Sequence, residues 1–393
     1  MTMLAGGAPP APQDRPSVTE LRLSAFGVHR GADFPLGPLT LFSGPSGTGK
    51  STALRAYEGL ARLGGGAGVG EVFPDPVAYV PDRARPDAQQ RRGFRIGCTV
   101  TGPVGPVRLD LAVQAEPELR IVGERLTCDG HTLLETALRD PGRRVVQAAW
   151  HTAGTVPVTR APLPDDVLGT ALLPLRVAGK TEGQRLVIAA AEQVVVALRS
   201  VFSCDPQPGR MRRPARATAD RLLSGCDNLA AVLWRTRAEC STRHGLLVAA
   251  ARAGCAGPVV DVLSEDLGNG TVRAVLDRGD GRRTPVDRLG DGELRYLALA
   301  LVLLTGPRVL AVDPVAEVPD AFQTLTVLAD GMDRSLDPRQ LRELTALAER
   351  MCGRGHIRLA GTVGDGAWAA REHGAAVVDL GARRNPAVVD LTP

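Results

Sequence analysis

The octapeptide Gly44-Pro45-Ser46-Gly47-Thr48-Gly49-Lys50-Ser51 has the residue types and spacing that chemistry on phosphates requires. In a G-x-x-x-x-G-K-[ST] loop, successive backbone N–H groups turn inward around phosphate oxygens, and the helix after the loop adds the positive end of its dipole. Gly44 through Thr52 is therefore expected to hold the phosphates of a nucleoside triphosphate, with ATP and Mg2+ as the cofactors. Lys50 would neutralise the β- and γ-oxygens, and Ser51 would offer its hydroxyl to magnesium. The chain has 47 basic residues, of which only Lys50 and Lys180 are lysines, so a lysine at the one place where the loop needs a compact ammonium is informative. The Arg, Ala, Gly and Pro usage fits a GC-rich coding sequence.

A magnesium site of this kind needs a carboxylate at the end of a nearby buried strand. The run Val309-Leu310-Ala311-Val312-Asp313 is apolar and ends in an acid, which makes Asp313 the expected metal-side carboxylate. Glu317, four residues later, is a candidate catalytic carboxylate, with an ordinary solvated acid as the alternative. Just upstream, Arg288-Leu289-Gly290-Asp291-Gly292-Glu293-Leu294-Arg295 forms a glycine-bearing turn that opens a long apolar helix. The backbone of Gly290, Asp291, Gly292 and Glu293 could donate N–H groups to a further phosphate.

The elements that must position these residues are set by periodicity. Residues 20–43 read as strand leading directly into the loop, and 51–63 as the helix after it, ended by Gly64-Gly65-Gly66. Over 95–126 the period changes to two, with Val107, Leu109, Leu111 and Val113 on one face, which predicts a group of antiparallel strands. Helical patterns come next at 183–202, 219–234 and 241–253, then strands at 259–263 and 271–276 and a helix at 292–304. The remainder alternates strand (309–313, 357–361, 376–380) and helix (338–351), as in a partly parallel sheet with ligands at its carboxyl ends. The expected domains are a disordered tail over 1–17, an ATPase lobe over 18–150, a helical insert over 151–258 and a second ATPase lobe over 259–393.

Composition excludes more than it assigns. A chain of 393 residues that is 44% hydrophobic and 23% charged builds a core, and a net charge of +4 gives no electrostatic case for nucleic acid. The arginines Arg210, Arg212, Arg213 and Arg216 would touch a nucleic-acid backbone or form a solvated basic face, and the absence of interleaved aromatics favours the second. Seven cysteines without a C-x-x-C pair fit a reduced cytoplasmic protein with neither disulfides nor zinc. No apolar run is long enough to span a membrane. His131, His151 and His244 lack ligand spacing, and Trp150, Trp234 and Trp368 read as core or lid packing.

On these residues the chain resembles the ABC-type ATPases, on the branch of RecF, the SMC-related proteins and the predicted ATPases found with the OLD family. Gly44 to Thr52 matches Walker A, Leu289 to Arg295 with Leu297-Ala298-Leu299 the signature helix, and Leu310 to Asp313 Walker B. Gly123-Glu124-Arg125-Leu126 and Asp227-Asn228-Leu229-Ala230 are similar to segments that recur in this branch. The resemblance implies an α/β P-loop NTPase with an ABC-type head, an N-terminal antiparallel group and a helical insert between Walker A and the signature. It also implies two protomers sandwiching ATP, hence a nucleotide-dependent homodimer. Three positions depart from the pattern: the signature serine falls on Gly290, the water-orienting glutamate after Walker B on Pro314, and no switch histidine stands between Thr362 and Gly366.

The expectation is therefore a nucleotide switch with slow or lost hydrolysis, acting on a separate effector protein, since no nuclease or toprim domain is expected after Leu380. The alternative is an active DNA-dependent ATPase of DNA repair, chromosome maintenance or phage defence, with Glu317 as its carboxylate. The long insert argues against a transporter subunit, and the missing Asn-Lys-x-Asp argues against a GTPase.

Overall fold

The computed structural model describes residues 15–152, 158–313, 315 and 318–381. Pro314, Glu317 and most of the expected tail lie outside the described residues. In chain order the strands are β1 (Ser17–Phe26), β2 (His29–Pro35), β3 (Leu39–Ser43), β4 (Arg92–Gly102), β5 (Gly105–Glu116), β6 (Arg120–Cys128), β7 (His131–Ala137), β8 (Val145–His151) and β9 (Val158–Pro164). They continue as β10 (Val201–Cys204), β11 (Ala215–Arg216), β12 (Asp261–Asp266), β13 (Thr271–Gly279), β14 (Arg282–Pro285), β15 (Leu325–Ala329), β16 (Ile357–Val363) and β17 (Ala376–Asp379). The helices are α1 (Lys50–Gly64), α2 (Val69–Val72), α3 (Gly169–Arg176), α4 (Glu182–Arg199), α5 (Pro208–Met211), α6 (Leu229–Glu239), α7 (Ser241–Gly254), α8 (Asp291–Leu304), α9 (Pro338–Cys352) and α10 (Ala367–His373).

Two compact units emerge, and they do not match the expected domain boundaries. The described residues among Met1–Leu36, Arg55–Ser200 and Asp313–Thr324 make the first, and those among Gly37–Leu54, Val201–Val312 and Leu325–Pro393 the second. The stretch 151–258 is accordingly no single helical insert: β9, α3 and α4 belong to the first unit, and β10 to α7 to the second.

The first unit holds an eight-stranded sheet in the order β2-β1-β4-β5-β6-β7-β8-β9, antiparallel throughout. Its alternation is the one the period-two pattern predicts, with Val107, Leu109, Leu111 and Val113 all buried on one face. Helix α4 is fastened to this sheet through buried Gln193, whose Nε2 donates to the carbonyls of Val100 and Gly105 and whose Oε1 accepts from Val104 N. Phe26, Phe73, Tyr79 and Phe94 stack and meet edge to face at 5.0–6.4 Å, so four of the chain's few aromatic rings anchor one core.

Glu124 shows why its segment is built as it is. This buried carboxylate caps the first turn of α3, accepting from Gly169 N at 2.7 Å, Thr170 N at 2.6 Å and the Thr170 hydroxyl. Burial nonetheless pushes its pKa above the ordinary 4.5, against the hydrogen bonds that pull it down. The folded chain thus keeps a proton that the unfolded chain has lost, and the stability this group contributes is complete below pH 4.5 and falls as pH rises through its folded pKa. Urea midpoints across that range should drop more steeply for the native chain than for Glu124→Gln. Equal slopes would sink this account.

The second unit is α/β. Its central sheet runs β10-β15-β16-β3-β17, and every neighbouring pair is parallel. β3 and β15 are buried at every residue, as strands covered on both faces are, and β15 is a strand that the sequence pattern does not predict. Helix α9 starts on a capping box: Asp337 Oδ1 accepts from Gln340 N at 2.8 Å, Gln340 Oε1 accepts from Asp337 N at 3.1 Å, and Pro338 takes the first helical position. A smaller antiparallel sheet pairs β13 with β11, β12 and β14. The unit thus combines a strand–loop–helix phosphate-loop arrangement with a parallel sheet, and with the antiparallel group of the first unit gives the α/β class that the sequence predicts.

The expected strand over 309–313 is absent from this sheet. Val309, Leu310 and Val312 are buried, but the segment makes only an isolated bridge between Leu310 and Leu222. The strand that enters the sheet is β15. β10 begins where the sequence predicts that the helix continues to Phe202. Trp150 is buried, whereas Trp234 is 47% exposed and does not serve as core.

Candidate nucleotide-phosphate site

β3 delivers the chain into the loop at the carboxyl end of the parallel sheet, and α1 leaves it from Lys50. Gly44, Gly47 and Gly49 have φ of +140°, +78° and +98°, backbone conformations that side chains resist. Gly44 is further constrained by close packing, because a Cβ there would lie 3.0 Å from Gly381 N. Pro45, Ser46 and Gly47 are exposed at the tip, whereas Thr48 is buried and donates its hydroxyl to Pro45 O at 2.9 Å. Lys50 Nζ folds back over the loop and donates to Gly44 O at 2.6 Å and Pro45 O at 3.0 Å.

Ser51, in the first turn of α1, donates its Oγ–H to Asp330 Oδ1 at 2.8 Å. Asp330 is the residue immediately after β15. The same carboxylate oxygen accepts from Thr362 Oγ1 at 2.7 Å. The sequence expects Asp313 beside Ser51, whereas in the structure the carboxylate that meets Ser51 is that of Asp330. Asp313 belongs to the first unit, its side chain is 83% exposed, and Arg199 donates to its Oδ2 at 2.7 Å and to its backbone carbonyl at 3.0 Å. Two apolar runs ending in aspartate occur in this part of the chain, and only sheet pairing distinguishes them: β15 aligns Ala329 with Gly361 of β16, whereas 309–313 has no such ladder.

A hydroxyl and a carboxylate converging on one point beside a phosphate loop form a hard-oxygen donor set of the sort magnesium takes. The open surroundings of Gly47, where a built Cβ meets nothing within 4 Å, leave the loop backbone approachable. The residues present therefore fit Mg-nucleotide. No family model and no curated protein matches the sequence. Among solved structures, the chain is similar to an SMC head bound to the C-winged helix domain of ScpA, at 9% identity over 92% of this chain and 94% of that one, TM-score 0.49. It is also similar to the SMC head domain from Thermotoga maritima (12% identity, 92% and 94% covered, TM-score 0.38). A third similar structure is the Smc head with an extended coiled coil bound to the C-terminal domain of ScpA from Pyrococcus furiosus (7% identity, 93% of each chain, TM-score 0.47).

The turn at 290–293 begins α8, which is buried almost all round from Leu294 to Leu304. Gly290 and Asp291 both lie exposed at the start of the helix, and Glu293 Oε2 accepts from Gly290 N at 3.2 Å while its Oε1 accepts from Ala256 N at 2.9 Å. Arg212 Nη2 donates to Asp291 Oδ1 at 2.6 Å and Leu289 O at 2.9 Å, so one member of the arginine cluster braces this turn. Arg210, Arg213 and Arg216 are exposed. Gly292 has a packing reason of its own, since a Cβ there would lie 2.3 Å from Ser335 O.

Sequence reasoning missed Asp330, Thr362 and Arg295. Arg295 is 2% exposed, and its guanidinium reaches Asp205 Oδ1 (3.2 Å), Pro206 O (2.6 Å), Gly331 O (3.0 Å) and Asp330 O (3.5 Å). It ties α8 to the backbone of Asp330 and Gly331. The available signal was an arginine at the start of the run Leu294 to Leu304, which is otherwise uncharged and buried throughout, because such a charge has to be paired.

Proposed function

We propose that this chain binds Mg-ATP through Gly44 to Thr52, with Asp330 rather than Asp313 as its metal-side carboxylate, and that it hydrolyses the nucleotide slowly or not at all. The reading is carried by the 2.8 Å hydrogen bond from Ser51 Oγ to Asp330 Oδ1 at the end of the parallel sheet. Lys50 and the loop N–H groups would hold the phosphates, and Ser51 and Asp330 would hold the ion on their open side. Bound magnesium supplies charge neutralisation between the β- and γ-oxygens.

Slow hydrolysis is supported by the residues that come after Asp330. The next is Gly331, which has no side chain with which to orient water, and Asp333 has its Oδ2 engaged by Gly364 N at 2.6 Å. The stretch after β16, Val363-Gly364-Asp365-Gly366, offers no histidine. Binding and in-line attack use different groups, so a site can keep the first and lose most of the second. The exposed first turn of α8, with Asp291 offset by Arg212, supports a role in meeting the nucleotide of a second copy.

The test is ATP affinity, steady-state turnover and solution mass on one preparation, with and without magnesium and DNA, with Lys50→Ala as control. Expected are magnesium-dependent binding that Lys50→Ala loses, a nucleotide-dependent rise in mass, and negligible turnover. Brisk turnover would remove the slow-hydrolysis claim, DNA-stimulated turnover would favour the active ATPase, and absence of binding would end the reading altogether.

A further inference from the structure

Thr362 stands outside the phosphate loop, yet its hydroxyl is placed to do one thing. Its Oγ1 lies 2.7 Å from Asp330 Oδ1 and 2.6 Å from Gly331 N. A backbone N–H can only donate, so it occupies a lone pair of the hydroxyl, and the single hydroxyl proton is directed at the carboxylate. The carbonyl of Thr362 also accepts from Met332 N at 2.9 Å, so residues 330–332 are wrapped around this one residue. Thr362 is 2% exposed, sits on β16 between β15 and β3, and pairs in register with Phe42. It cannot move without disturbing the sheet.

Asp330 Oδ1 therefore has two hydroxyl donors of different character. Ser51 lies on the first turn of α1 beside the loop, and its oxygen is the one a metal would take. The Thr362 donor is fixed by the Gly331 N–H, which leaves its proton committed to the carboxylate. We infer that Thr362 is the positioning residue of the metal-side carboxylate: it holds Asp330 at the angle at which Ser51 and Asp330 address one ion together. This rests on the Mg-ATP reading given above. A partner that orients a ligating carboxylate without touching the ion tunes metal affinity and leaves the metal-free phosphate contacts alone.

The experiment separates those two quantities. ATP affinity of the full chain is titrated in magnesium and again in EDTA, for the native protein, Thr362→Val and Thr362→Ser, and Mn2+ binding to the ATP complex is followed by electron paramagnetic resonance. Expected for Thr362→Val is about a tenfold loss of the magnesium-dependent gain and of Mn2+ affinity, the lower end for outer-shell partners, with EDTA affinity within about twofold. Thr362→Ser restores both because it returns the hydroxyl. Should Thr362→Val fold poorly, Thr362→Ala, which leaves room for a bridging water, is read in the same way and should show a smaller loss. An unchanged magnesium gain in these variants, or an equal loss in EDTA, overturns the inference while leaving the site reading standing. Failure of the native chain to bind ATP in magnesium overturns both.

Discussion

Asp330→Ala should lower magnesium-dependent ATP affinity by about 10- to 100-fold, whereas Asp313→Ala should leave it within about twofold. The two residues look alike in sequence, each an aspartate after a buried apolar run, but their surroundings differ. Asp330 shares one oxygen between Ser51 and Thr362 at 2.8 and 2.7 Å, so its removal takes the carboxylate from the loop hydroxyl best suited to magnesium. Asp313 is 83% exposed and pairs with Arg199, and exposed pairs contribute on the order of 0–1 kcal/mol. Titration of a fluorescent ATP analogue with and without magnesium measures both. If Asp313→Ala produced the loss and Asp330→Ala did not, the assignment of Asp330 to the metal side would be wrong.

Gly292→Ala should destabilise the folded chain by about 3 kcal/mol, and Gly290→Ala should be neutral or stabilise it by roughly 0.5 kcal/mol. Both glycines lie in the turn that opens α8, where they would ordinarily be explained together as phosphate-facing backbone. The structure separates them. A Cβ on Gly292 would stand 2.3 Å from Ser335 O and 3.0 Å from Gln340 Oε1, and a backbone carbonyl cannot swing aside as a side chain can. Ser335 is itself fixed at φ +62°, just ahead of the α9 capping box. A Cβ on Gly290 would have only Glu293 Oε2 near it, at 3.9 Å, and the residue has a φ of −66° that alanine accepts readily. Urea unfolding of the two variants decides the matter, and comparable effects at both positions would discard the packing explanation.

Legibility in the sequence divides by the kind of signal. The loop, its flanking strand and helix, α8 and α9 were readable because each carries its own local mark: glycine and lysine spacing, a capping pair, a sustained apolar helix. The eight-stranded sheet announced itself by alternation, since Val107, Leu109, Leu111 and Val113 of β5 are buried while Pro106, Arg108, Asp110 and Ala112 between them are not. Of the parallel sheet, β3, β16 and β17 fall where the sequence predicts strands, whereas β15, buried at every residue, has no period to mark it. Leu325–Ala329 and Val309-Leu310-Ala311-Val312 are both short and mostly apolar, and the ladders with β10 and β16 make the first a strand. Unit boundaries were illegible for a related reason: the chain leaves and re-enters each unit, so composition changes little where the contacts change completely. Arg295 and Thr362 act on atoms more than 30 residues away in sequence, and no spacing rule reaches that far.

The ammonium of Lys50, resting at 2.6 Å from Gly44 O and 3.0 Å from Pro45 O, makes ligand capture an exchange reaction. The loop is already stapled by its own cation, so its conformational entropy is lost in folding and little remains to be lost on binding. Affinity then depends on a difference between two sets of charge-assisted hydrogen bonds, one to neutral carbonyls and one to phosphate oxygens. A ligand wins that exchange in proportion to the negative charge it brings to the ammonium. On the proposed Mg-ATP reading, the loop would thereby sort its ligands by the charge of their phosphates before any other part of them is recognised.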